Sequence, residues 1–170
     1  VWKELEIIEF GGPPEPLTRH LGVICDVWTE GPLTKMTTSM PSFFRDCVEN
    51  YKQDASRKGP LPRVETPYLE EIFDDDPNPE PGKHARAAPS LTMKPLYGAR
   101  MCRPDSIVAI TILARRLTKW HKDEDRRLRR LMCYLENHAD DALYSVLSTA
   151  DRDTLVLRYW PDAELGGDKS

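Results

Sequence analysis

The chain has 170 residues, enough to bury one ordinary core, but 15 prolines and a hydrophobic fraction of 39% predict compact pieces joined by extended chain. A net charge of −4 excludes a protein that binds polyanions over its whole surface. No apolar run approaches the ~20 residues of a spanning helix, so no membrane partner is expected. The sequence opens on Val1 rather than Met and has no signal-peptide pattern, which reads as a fragment of an intracellular protein, cytoplasmic or nuclear. Cys25, Cys47, Cys102 and Cys133 lie far apart and form no C-x-x-C pair, so buried reduced thiols are expected.

In chain order, "VWKELEIIEF" spaces Trp2, Leu5 and Ile8 as a short amphipathic helix, and "GGPPEP" ends regular structure. "RHLGVICDVWTEGPLTKMTTS" reads as two β-prone runs around a turn at Glu30-Gly31-Pro32. Ser39 or Ser42 is the expected cap of the next helix, "PSFFRDCVENYKQD", whose Phe43, Cys47, Val48 and Tyr51 share one face. Residues 58–90 hold seven of the 15 prolines and an acidic run. They read as a solvated linker with at most one short turn or helix at "PYLEEIF".

Order is expected to return at "LTMKPLYGARMCRPD", with Asp105 as the N-cap of "SIVAITILARRLTKW", where Ile107, Ile110, Leu113 and Leu117 form a stripe. A break at "HKDED" precedes "RRLRRLMCYLENH", with Leu128, Leu131, Met132 and Leu135 at helical spacing. The period then changes to two: "LYSVLS", a turn at "TADRD" and "TLVLRYW" predict a closing hairpin.

Residues 115–130 carry eight bases against three acids, a local +5 in a chain of net −4. Such a concentration suits contact with phosphates, and equally a solvated helix face laced with internal ion pairs. The acids of "FDDDPNPEPG" are followed by prolines rather than a returning strand, so they do not form a rigid metal-binding tip. His20, His84, His121 and His138 lack ligand spacing with the cysteines, which disfavours zinc. Neither a phosphate-binding glycine loop nor a nucleophile elbow is present.

As a set, the segments resemble the pol polyprotein of copia-type retrotransposons, beginning after the polymerase aspartates. "RHLGVICDV" resembles the family's "FLGI-x-I" strand, with His20 in place of the aromatic. "LTKMTTSMPSFFRDCVENY" resembles "I-x-LSQ-x-x-Y" without its Ser-Gln pair, and "VETPYLEE" carries the "TP" that follows. "LYGARMCRPDSIVAITILARRLTKW" is similar to "LMYLA-x-x-TRPDI-x-x-AV-x-x-LSRF". "RRLRRLMCYLENHADDALYSV" is similar to "AKRILRYLKGT-x-D-x-GL", and "LRYWPDAELGGDKS" to "GYSDADWAGD".

The resemblance implies an α+β chain in four parts. These are the palm end with a β-hairpin and the thumb helix (1–57), the acidic linker (58–90), a connection helix pair (91–141), and a C-terminal hairpin corresponding to the first ribonuclease H strand (142–170). It implies contact between an RNA–DNA hybrid or DNA backbone and Arg115, Arg116, Lys119, Arg126, Arg127 and Arg130. Asp162 would be the first ribonuclease H carboxylate, catalytic and metal-binding, with Mg²⁺ in the complete parent enzyme. One carboxylate cannot hold a metal pair, so the fragment alone is expected to need no cofactor and to show no activity, with the rest of the polyprotein as its partner. The other reading is a non-enzymatic helical module that binds nucleic acid or another protein.

Overall fold

A computed structural model describes residues 16–69, 80–154 and 156. The fold is α+β; among the described residues it has four α-helices and a four-stranded antiparallel sheet in the order β1-β2-β3-β4. The helix expected in residues 1–10 lies outside the described residues, as does Asp162 with most of the expected final strand.

Strands β1 (Arg19–His20) and β2 (Val23–Glu30) are joined by Leu21 and Gly22, both at positive φ, +50° and +86°. Leu21 takes a conformation that favours glycine, and its carbonyl accepts a hydrogen bond from the Tyr97 hydroxyl at 2.7 Å. Strand β3 (Leu33–Ser39) returns after the two-residue turn Gly31-Pro32, with Glu30 opposite Leu33 as the sequence predicts. Only Val23 and Cys25 of β2 are buried. From Asp26 onward its residues are exposed, so the hairpin extends away from the helices.

Helix α1 (Pro41–Asp54) follows directly and buries Cys47, Val48 and Tyr51 as expected, but with Phe44 at the head of the i, i+3, i+4, i+7 stripe in place of Phe43, which is only partly buried. Neither Ser39 nor Ser42 caps it. Met40 holds the cap position, Pro41 needs no donor at the first turn, and the Met40 carbonyl accepts the Phe44 N–H at 3.1 Å.

Helix α2 (Ala88–Cys102) starts inside the expected linker. A short 3-10 turn (Pro104–Ser106) leads to α3 (Ile107–Ala114), and α4 spans Lys122–Asn137. The helix expected over "SIVAITILARRLTKW" ends at Ala114: Ile110 and Leu113 are buried on α3 and Ile107 packs beside them, while Leu117 packs against the core from the turn that follows. On α4, Leu128, Leu131, Met132 and Leu135 are wholly buried. The polar "HKDED" is no break. Asp123, Glu124 and Asp125 form the first turn of α4, where carboxylates meet free N–H groups, and Glu124 accepts the His121 N–H at 2.9 Å.

Strand β4 (Leu143–Ser148) pairs with β3, from Leu33 opposite Ser148 to Thr38 opposite Leu143. β3 offers an open edge that the incoming chain occupies, and residues Thr149–Thr154 coil as a 3-10 helix instead of a tight turn. The core is shared by α1, α2, α3 and α4, with Val23, Cys25 and Met40 joining it from the sheet side.

The described ends of the Pro-rich segment are anchored rather than solvated. Leu61 is buried, and its N–H donates to the Glu136 carboxylate at 2.6 Å. Asn137 donates to the Pro62 carbonyl at 3.2 Å, and Arg130 donates to the Thr66 carbonyl and hydroxyl at 2.8 and 2.9 Å. Residues 61–69 thus form a strap along α4.

Candidate nucleic-acid interface

The basic run divides between two elements. Residues 115–119 make the corner after α3, and the remaining bases lie on α4. Trp120, 5% exposed, fixes this corner. Its indole N–H donates to the Asp125 carboxylate at 2.7 Å, and its carbonyl accepts the Gly82 N–H at 3.2 Å. Asp125 also accepts the Lys83 and His84 N–H groups at 2.6 and 3.2 Å, and Pro81 bridges to His121. A Cβ on Gly82 would lie 2.5 Å from the Trp120 ring and 2.6 Å from the His121 carbonyl, so this close approach requires glycine.

The six bases expected to contact a backbone fall into three states. Arg115, Arg116 and Lys119 are exposed, and among the described residues they make no ion pair or side-chain hydrogen bond. Arg126 is exposed and pairs with Asp123 at 3.1 Å, a contact that costs little to exchange. Arg127 lies 3.9 Å from Glu124, with the two side chains only 17% and 7% exposed, and Arg130 is committed to Thr66. The last two hold structure, which corresponds to the internal-pair reading of the run.

Arg129, one of the eight bases of the run but not among the six expected contacts, is exposed on α4 between Arg126 and Arg130. These three line a cleft of about 280 Å³ whose facing wall is Pro62, Val64 and Leu69. The i, i+3, i+4 spacing of the arginines was legible; the strap that turns them into one side of a cleft was not. Cys133 lies at the same cleft, and burial pushes its thiol pKa up against the lowering influence of Arg129.

The far end of α4 is held by Arg103, 2% exposed. Its guanidinium donates to both Asp105 oxygens at 2.9 and 2.7 Å and to the His138 carbonyl, and it lies over the Phe44 and Tyr134 rings. The Tyr134 hydroxyl donates to Asp105 at 2.7 Å. Asp105 is therefore no helix cap: Ser106 occupies that position, and the carboxylate answers a buried cation instead. Burial works against ionised Asp105, but the hydrogen bonds from Arg103 and Tyr134 outweigh it and hold its carboxyl below the usual carboxylate range.

Among the described residues no group of three or more His, Cys, Asp or Glu side chains is placed to hold a metal ion. Asp162, the expected magnesium ligand, lies outside them. All four cysteines are free and buried, as the sequence predicts. No described helix is long and apolar enough to cross a membrane. No family model matches the chain, and no curated protein and no solved structure matches it.

Proposed function

We propose that the chain belongs to a copia-type reverse transcriptase, running from the palm end through thumb and connection, and that its basic corner meets the phosphate backbone of an RNA–DNA hybrid. The observation that carries the binding reading is the trio Arg115, Arg116 and Lys119, exposed and without a carboxylate partner among the described residues. Charges already neutralised within a protein release few counterions from a nucleic acid, whereas these three remain available. Arg126 joins them on exchanging Asp123 for phosphate. The polymerase origin rests on the ordered motif succession, supported by a hairpin that runs directly into a helix and by a helix pair after "RPD".

Backbone contacts of this kind grip without reading sequence. The test is the salt dependence of binding to a short RNA–DNA hybrid. Replacing Arg115, Arg116 and Lys119 together with Ala lowers the steepness of log affinity against log salt by about 2.7, ~0.9 for each of the three charges. Arg126→Ala lowers it by less than one further unit, on the order of 0.8. Unchanged slopes in both variants reject the assigned corner. The non-enzymatic interaction module is favoured by a different observation: Trp28, Tyr144 and Val146 share one exposed face of the sheet. Absence of hybrid binding altogether would turn attention to that reading.

A further inference from the structure

Beyond hybrid binding, we propose that the cleft between α4 and the 61–69 strap is a docking site for an acidic peptide that carries one apolar anchor side chain. The cleft and its rim differ in chemistry. Arg126, Arg129 and Arg130 line the helical side with their aliphatic stems, facing Pro62, Val64 and Leu69, so the cleft itself is almost wholly apolar. The charge belongs to the exposed side chains of Arg126 and Arg129 around it. A duplex backbone presents phosphates on a broad convex surface and has nothing to place against Val64 and Leu69. A peptide with carboxylates flanking a leucine satisfies the cleft and its rim at once.

The cleft, about 280 Å³, is small for an organic ligand and suits a single side chain. Its geometry is set before any partner arrives. Glu136 holds the Leu61 N–H, Asn137 holds the Pro62 carbonyl, and Arg130 spans the cleft to Thr66. Binding therefore orders little new chain, which favours affinity. Arg129 makes no ion pair or side-chain hydrogen bond among the described residues, and Arg126 has only the exposed Asp123. Two guanidinium groups are thus available to carboxylates, while Arg130 keeps the wall in place.

The proposal shares Arg126 with the hybrid reading, so it is tested at Arg129 and Leu69, which that reading does not use. The probe is a fluorescent Glu-Asp-Leu-Asp-Glu peptide with blocked termini, titrated with the full chain. Two controls are Gln-Asn-Leu-Asn-Gln, which lacks charge, and Glu-Asp-Ser-Asp-Glu, which lacks the anchor. Because the chain carries its own acids beyond Leu69, the titration is repeated with Asp74, Asp75 and Asp76 all replaced by Asn.

The expected result is binding of the charged, anchored peptide and loss of binding with either control. Arg129→Gln and Leu69→Ser, both at positions outside the buried core, each weaken it about fivefold and leave hybrid affinity unchanged. Any of these results overturns the proposal: no binding by either form of the chain, equal binding of either control peptide, or equal binding by Arg129→Gln. Loss of peptide binding on replacing Arg115 and Arg116 with Ala also overturns it, because that outcome assigns both anions to one undivided basic surface.

Discussion

At Arg103 a full positive charge is stabilised inside the fold by a carboxylate, a carbonyl and two aromatic faces. Replacing Asp105 with Asn leaves that charge with weaker acceptors. The expected loss is about 2 kcal/mol, moderated because the Asp105 side chain is 38% exposed. The pH dependence has a definite sign. Asp105 is lowered in the folded state, so its contribution is complete above the unfolded value, about 4, and disappears as pH falls through the folded value. Denaturant titrations of wild type and Asp105→Asn should therefore converge below that range and differ most near neutrality. A second residue follows the same logic in reverse. Burial pushes the Cys47 thiol up to about 12, so almost no thiolate exists at ordinary pH. Iodoacetamide should leave Cys47 unmodified in the native protein and label it after unfolding, as read by peptide mass.

Between elements, the contact of α1 with α2 depends on the absence of one side chain. A Cβ on Gly98 would lie 2.7 Å from the Phe44 ring and 2.9 Å from that of Phe43. Helix propensity alone favours Gly98→Ala by about 1 kcal/mol, whereas overpacking costs about 1–3 kcal/mol. Phe44 is 1% exposed and cannot swing away, so repulsion wins and the variant should be less stable by about 1 kcal/mol. A gain in melting temperature would show that the ring has room to move. The strap makes a comparable case. Leu61 is buried beneath it, and Leu61→Ala should cost about 2–4 kcal/mol in chemical denaturation, far more than a solvated linker residue would.

Across the whole molecule, the sheet and the helical body share few buried residues. Val23, Cys25 and Met40 enter the common core, while the outer parts of β2 and β4 remain exposed. The β3–β4 pairing joins chain segments far apart in sequence, so loop-closure entropy opposes it and local pairing does not assist it. Adjacent strand residues point their N–H groups to opposite sides, so Ser145→Pro with Val146→Pro removes a ladder bond whichever side faces β3. That double variant should lose amide protection in β3 and β4 by hydrogen exchange while α4 keeps its protection. Equal loss in α4 would show that sheet and helices unfold as one unit.

The sequence by itself determined the elements whose periodicity is local. The Gly31-Pro32 hairpin, the α1 stripe and the buried faces of α3 and α4 were legible because turn residues and 3.6-residue spacing act within a few positions. The concentration of bases at 115–130 was equally legible, but which of them are available was not. Arg127 has its partner Glu124 at the local i, i+3 spacing, whereas Arg130 looks like Arg115 and Arg116 in sequence and only folding brings it Thr66. The same applies to Asp105, whose place after Pro104 predicts a cap until a buried Arg103 claims the carboxylate. The strap reads as linker because proline composition reports backbone preference, whereas its docking depends on Glu136 and Asn137, more than seventy residues further along the chain. Local periodicity chose the helices and the hairpin. Long-range pairing of charge and hydrogen bonds decided which side chains remain free to act.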